Sequence, residues 1–310
     1  MKFFNEFFSV THSAERKAME IYMKNIKITD VRCQKGDASF LIDNGNTSIL
    51  YDTGFGFTGY DVADNIKAVL GERKLDYIFL THSHYDHALG SAYILRRYPD
   101  AKVVAGKYAV GIFERDGAKR TMKELDAKFA EKCGAGDYEF LGDELKVDIA
   151  VDEGDIIKAG DMEFEVINFP GHTRCSIGFY CKEKGLFLSN ETLGVFDGEK
   201  TIVPSYLVSY EDTIKSIEKA EKLDIKYLLA PHYGILNEEQ TKYFLDNMKS
   251  ASEQTTKEIL DCLKNGKSDE DILKMIKDKF WHGYIKAIYP EDAVNLNTSI
   301  MIQVVKKEFL

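Results

Sequence analysis

Up to about Asn237, the apolar positions of this chain fall in short runs separated by turn residues. Beyond it they recur at helical spacing. The segments IKITDVRC, DASFLIDN and TSILYDTG, broken by Gly and Asn, read as successive antiparallel strands. Ahead of them, Ser13 is placed to cap a short helix over AERKAMEIYMKN. YDVADNIKAVLGER has helical spacing, LDYIFLTH reads as a buried strand, HALGSAYILRRYP as a helix stopped by Pro99, and AKVVAG as a further strand. A helix-prone insert near 107–132 interrupts the strands. They resume in ELKVDIAVDEGDIIKAGDMEFEVINFPGHT, where Gly-Asp turns precede the apolar runs. A hairpin-like pair (GFYCKEKGLFLSN), a helix (YEDTIKSIEKAEKL) and a strand (IKYLLAPHYG) follow. After that the chain reads as helices, one of them capped by the Ser268 and Asp271 pair. The predicted class is α/β, with a β-rich domain over 1–236 and a helical region over 237–310 packing on it.

Composition adds exclusions. In 310 residues, 41 basic side chains face 51 acidic ones, for a net charge of -10. That balance gives no electrostatic footprint for nucleic acid. The opening MKFFNEFFSVTHSAERK is broken by Asn5, Glu6 and Thr11 and offers no apolar core for a secretion signal. No apolar run approaches the ~18 residues of a membrane span. Five scattered cysteines without a CxxC pair predict neither a disulfide framework nor a thiolate zinc site. The expectation is a cytoplasmic protein acting on a small molecule, with its oligomeric state, a homodimer included, left open.

The strand LDYIFLTH runs directly into SHYDHALGS, so His82, His84, Asp86 and His87 crowd one strand end. Packing favours apolar residues there, and solvation has no need of such imidazole density. Residues two apart on an extended backbone point the same way, so His82 and His84 can grip one ion, while Asp86 and His87 face a second. Imidazole and carboxylate without thiolate suit zinc, iron or manganese.

THSHYDH resembles the HxHxDH signature of metallo-β-lactamase-fold hydrolases, and other segments are similar to that family in the same order. SILYDTGFG resembles its Asp-Thr-Gly turn, FPGHTRCSIGFY its Pro-Gly-His-Thr element, and LLAPHYG its last ligand strand. The resemblance spans about Ile28 to Gly234. It implies an αββα sandwich with a helical C-terminal extension and two divalent transition-metal ions, zinc first, with iron or manganese as alternatives. By resemblance His82, His84 and His172 hold one ion, and Asp86, His87 and His232 hold the other. Asp86 and Asp52 are the catalytic residues, Asp52 acting from behind the metal loop.

One segment departs from the pattern. Where the family usually carries a bridging Asp within Gly-Asp-Thr-Leu, this chain reads SNETL, which puts Glu191 at the bridge and Asn190 at the glycine. The extra methylene moves the carboxylate by about a C–C bond, ~1.5 Å. The resemblance implies a dinuclear metal-dependent hydrolase working through a metal-bound hydroxide. Its size and helical C-terminal region are most similar to the glyoxalase II and quinolone-signal response thioesterase branch, so a thioester or ester is the expected substrate. A non-haem di-iron oxygen or redox enzyme, which Glu191 also suits, and a binding or regulatory protein with a vestigial site stay open. The flavodiiron branch fits less well, because His84 stands where that branch usually has Glu. Cys175 and the aromatic residues Phe280, Trp281, Tyr284 and Tyr289 read as core, with a place beside the site as the alternative. His12 and His282, which fall in no motif, read as surface residues.

Overall fold

Side-chain alternation along the strands decides the layers. On β3 (Phe40–Asp43) and β4 (Ser48–Tyr51), Phe40, Ile42, Ile49 and Tyr51 point into one core while Leu41 and Leu50 point into another. A strand buried on both faces reads as a continuous apolar run and needs a partner layer on each side. The structure, a computed structural model, describes residues 21–23 and 25–310.

One sheet has the order β1 to β7, adding β1 (Ile21–Met23), β2 (Ile26–Asp30), β5 (Tyr77–Phe79), β6 (Lys102–Gly106) and β7 (Ile149–Val151). Its first four strands are antiparallel, and β4 through β7 are parallel. The second sheet is built from β8 (Ile156–Ala159), β9 (Met162–Asn168), β10 (Ile177–Cys181) and β11 (Leu186–Leu188), extended by β14 (Tyr227–Ala230) and β15 (Gly234–Leu236). A small ribbon of β12 (Val195–Phe196) and β13 (Ile202–Val203) lies apart.

Phe79, Val104, Phe164, Val166, Phe179 and Leu188 fill the space between the sheets, and the Phe79 and Phe179 rings stack at 4.5 Å. Outside the first sheet, α1 (Gly59–Leu70) buries Val62, Ala63, Ile66 and Leu70 against Leu41, Leu50 and Ile78. The short helices α2 (Tyr85–Ala88) and α3 (Gly90–Arg97) lie on that side, followed by α4 (Lys107–Phe113) and α5 (Asp116–Lys132). Outside the second sheet, α6 (Tyr210–Ala220) and α7 (Glu238–Lys264) pack Ile217, Phe244 and Met248 on Phe187 and Leu228. The result is the four-layer αββα sandwich.

The helical run continues with α8 (Asp269–Phe280), α9 (Gly283–Ile288) and α10 (Glu291–Phe309). The Ser268 and Asp271 capping box that opens α8 forms, with Asp271 N–H 3.1 Å from Ser268 Oγ. Ile272, Ile276, Met301, Ile302 and Val305 join Ile259 of α7 in a separate cluster.

Two expectations need correction. Most of the N-terminal helix read over 14–25 lies outside the described residues, but its last part, Ile21–Met23, is a strand. Pairing with β2 satisfies its backbone in a way that local helix signals do not encode. And the segment IKYLLAPHYG, read as one strand, is divided: β14 ends at Ala230, and after a turn Gly234–Leu236 folds back as β15, paired antiparallel with it.

The turn after β4 is the tightest point near the strand ends. Gly54 has φ +71°, and a Cβ there would sit 1.6 Å from Asp37 Oδ1. Asp37 is itself buried and accepts from Ala38 N–H and the Ser39 hydroxyl. Gly54→Ala is expected to destabilise the fold by at least ~2 kcal/mol. Gly45→Ala, with φ +89° and open space around it, is expected to cost only the ~1–2 kcal/mol of a left-handed alanine. Urea unfolding of the two variants side by side checks the difference.

Candidate metal centre

Strands β4 and β5 are parallel in the first sheet. In the second, β9, β11 and β14 share one direction, since β10 is antiparallel to β9 and β11, and β14 is parallel to β11. Their C-terminal ends meet at one edge, where the backbone leaves the ladders and side chains are free to converge. Asp52 follows β4, and His82 and His84 follow β5. His172, Glu191 and His232 follow β9, β11 and β14. Asp86 and His87 sit on α2, the single turn after His84.

Glu191 lies at the middle of this edge and is 3 % exposed. Its Oε2 is 3.0 Å from His172 Nε2, 3.2 Å from His87 Nε2 and 3.3 Å from His82 Nε2, and its Oε1 is 3.2 Å from His232 Nε2. His84 turns its Nδ1 to within 3.0 Å of His172 Nε2. Asp86 Oδ2 lies 3.7 Å from His87 Nε2 and 3.9 Å from His232 Nε2. These seven residues fall into two groups whose potential donor atoms lie within 4.8 Å of one another: His82, His84, His172 and Glu191, and Asp86, His87 and His232.

The outward nitrogens fix the tautomers. His172 Nδ1 faces the Ser205 carbonyl at 2.8 Å, His232 Nδ1 the Gly36 carbonyl at 2.9 Å, and His87 Nδ1 the Asp52 carboxylate at 2.8 Å. Each of these partners accepts, so each Nδ1 carries hydrogen and each Nε2 turns inward. Asp52 has three duties. Its Oδ1 accepts Thr81 N–H at 2.8 Å, and its Oδ2 accepts the Thr81 hydroxyl and His87 Nδ1–H. The Thr81 oxygen, 3.0 Å from His82 Nδ1, carries the same support to His82.

A neutral Nε2 and a carboxylate oxygen 3 Å apart present lone pairs to each other, an arrangement that is stable only with positive charge between them. Protons supply too little of it. Burial and the neighbouring imidazoles hold His82 well below its ordinary range and push His84 down to about 3. His87 is raised by Asp86 and Asp52 despite its burial. Burial works against ionising Glu191, but His172 and the other imidazoles hold it well below the usual carboxylate range. His82 Nε2, His87 Nε2 and Glu191 Oε2 are buried without a hydrogen-bond partner. Orphaned inward atoms of this kind, on a set of imidazoles and carboxylates, fit divalent cations.

Two of the residues pay in backbone conformation. Asp52 has φ +48° and His232 φ +62°, the left-handed region that non-glycine residues rarely adopt. Three donors lock the Asp52 carboxylate. The His232 carbonyl accepts from the Arg32 guanidinium and from the Tyr284 hydroxyl, the latter at 2.5 Å. Arg32 is held in turn by Asp30, through Nε at 2.9 Å and Nη2 at 2.6 Å.

The helical region reaches the cluster directly. Tyr289 Oη donates to Glu191 Oε1 at 2.7 Å, and burial together with Glu191 keeps that hydroxyl protonated. Tyr289, Tyr284, Arg32, Ser205 and Gly36 carry no local motif. Only the aromatic cluster near Trp281 hinted at two of them. Cys175 is buried behind the cluster, its Sγ 3.3 Å from Ser83 Oγ, on the face of the strand end opposite to His82 and His84. His282 is exposed, its Nε2 3.1 Å from the Lys279 carbonyl oxygen, and His12 lies outside the described residues.

Comparison with known proteins agrees with the geometry. The family model described as the metallo-beta-lactamase superfamily matches residues 37–232. Among curated proteins, Glyoxylase B2 of Dictyostelium discoideum is 26% identical over 142 residues, 45% of this chain and 44% of that protein, so the chain spans less than half of its length. The atrochrysone carboxyl ACP thioesterase AgnL7 of Paecilomyces divaricatus is 21% identical over 272 residues, 79% of this chain and 72% of that protein. Among solved structures, the metallo-beta-lactamase family protein TTHA1429 of Thermus thermophilus superposes with a TM-score of 0.60 at 16% identity, covering 94% of this chain and 92% of its own, a likeness of fold. With its αββα layers, the order of its motifs and the family match all in agreement, this chain belongs to the metallo-beta-lactamase superfamily.

Proposed function

We propose that the protein is a dinuclear metal-dependent hydrolase acting on a small-molecule thioester or ester. His82, His84 and His172 would hold one divalent cation, Asp86, His87 and His232 the other, with Glu191 between them. The observation that carries this reading is the convergence of four inward imidazole nitrogens on one buried, ionised carboxylate. The thioesterase named among the relatives, aligned over most of both chains, supports the choice of substrate class.

Bound there, such a pair of cations supplies Lewis acidity, acidifying water at neutral pH and polarising an acyl oxygen. The chain's own part is positional. Asp52 holds Thr81 and His87, and through Thr81 it orients His82. Ser205 and Gly36 set the tautomers of His172 and His232. Tyr289 donates to Glu191 Oε1 and keeps the carboxylate turned toward the imidazoles. His84 and Asp86 are the members of the cluster that are not fully buried, so substrate meets the centre on their side. With water as the attacking group, no side-chain nucleophile is required.

Zinc is the first choice of metal. Glu191, in place of the family's usual aspartate, is the observation that favours an iron-containing redox enzyme as the second reading. Protein purified without chelator is expected to carry about two zinc equivalents by elemental analysis. Iron, with visible absorption that responds to oxygen, would shift the assignment to redox chemistry. His84→Ala combined with Asp86→Ala is expected to lower metal content to trace and hydrolysis of thioester panels by at least ~10³-fold. Full activity in that variant would sink the mechanism. Asp52→Ala is expected to weaken metal binding about 10–100-fold, read by competition with a chromogenic chelator.

A further inference from the structure

The two oxygens of Glu191 are not equivalent. Oε2 faces His172 Nε2 at 3.0 Å, His87 Nε2 at 3.2 Å and His82 Nε2 at 3.3 Å, so members of both donor groups converge on it. It has no hydrogen-bond partner. Oε1 faces one imidazole, that of His232 at 3.2 Å, and accepts the Tyr289 hydroxyl at 2.7 Å. A hydroxyl donating to an ionised carboxylate makes one of the stronger hydrogen bonds, so one oxygen is tied and the other is not.

The backbone beneath Glu191 is fixed by its neighbours. Asn190 Oδ1 accepts Thr192 N–H at 2.9 Å, Asn190 Nδ2 donates to the Ile177 carbonyl at 3.0 Å, and the Thr192 hydroxyl donates to the Phe169 carbonyl at 2.7 Å. These bonds leave open the side chain, which has one more torsion than the aspartate of the family pattern. A glutamate on a fixed Cα can turn one oxygen or both toward the imidazoles. Tyr289 is itself anchored. Its N–H donates to the Ile285 carbonyl at 3.0 Å, its carbonyl accepts the Trp281 indole N–H at 2.9 Å, and its ring lies 5.4 Å from that of His232.

Resting on the dinuclear reading above, we propose that Tyr289 is a positioning residue that makes Glu191 a one-oxygen bridge. It retains Oε1, so that Oε2 alone is offered to both cations. The longer side chain thus works as one half of a pair whose other half comes from the helical region.

The wild type tests this first. In a crystal structure of the zinc-loaded protein, Oε2 is expected to touch both ions while Oε1 stays on Tyr289, and an ion bound to Oε1 overturns the proposal. Tyr289→Phe keeps the ring and frees Oε1 to turn to the ion beside His232. The zinc–zinc separation, read by X-ray absorption, is then expected to move from the short to the long end of the ~3.5–4 Å that two-metal sites span. Affinity for the second zinc is expected to fall about tenfold by chelator competition. A loss of packing alone would leave the separation unchanged. In Glu191→Asp the carboxylate is withdrawn from Tyr289 by ~1.5 Å. Adding Tyr289→Phe to that variant is expected to change the affinity by less than about twofold and the separation not at all. Equal separations in wild type and Tyr289→Phe, or the same tenfold loss in the aspartate background, overturn the role of Tyr289 even where thioesters are hydrolysed. The expected separations and non-additivity with no thioester hydrolysed uphold that role and overturn the hydrolase reading instead.

Discussion

Glu191 is the constraint on which the rest of the site depends. A buried carboxylate is costly unless it is matched by positive charge or by donors, and here it is surrounded by four imidazole nitrogens at 3.0–3.3 Å and one tyrosine hydroxyl. The hydroxyl satisfies one lone pair of Oε1. An imidazole in its neutral form presents a lone pair of its own, since the other nitrogen already donates outward, to Ser205 from His172 and to Gly36 from His232. An anion and several inward-turned imidazole nitrogens held face to face in a dry site suit a cation between them.

Holding these groups together requires convergence from both sheets. The family's layers provide it because β4 and β5 in one sheet and β9, β11 and β14 in the other all end at the same edge. Cores on both faces of each sheet make these strand ends rigid, while the residues just beyond them escape the ladder. Local strain is the cost. The left-handed backbones of Asp52 and His232 persist because hydrogen bonds from Thr81, Arg32 and Tyr284 over-determine them.

The helical region acts as more than a cover. Through Tyr284 it holds the carbonyl of one imidazole residue, through Tyr289 it holds the central carboxylate, and with Ser205 and the β12–β13 ribbon it encloses an apolar cavity next to them. Lys128 and Lys132 of α5, paired with Asp292, tie it to the opposite side of the centre as well.

Much of this was legible in the sequence because it depends on local pattern. Apolar runs with turn residues predicted the strands, and THSHYDH announced its chemistry through the density of imidazoles where packing would place hydrocarbon. The order of His172, Glu191 and His232 at later strand ends followed from resemblance, and the Ser268 capping box was readable from four residues alone. What the pattern could not carry is any contact between residues far apart in the chain. β1 became a strand because β2 was there to pair with it. Tyr289, 98 residues from Glu191, looked like one aromatic among several until the fold set its hydroxyl on that carboxylate. The partners of His172 and His232 are backbone carbonyls, which every residue owns and no sequence distinguishes. Sequence by itself determined which side chains could bind a cation and on which scaffold. Only the tertiary structure decided which groups aim them, because aiming is done by long-range hydrogen bonds whose donors and acceptors have no local signature.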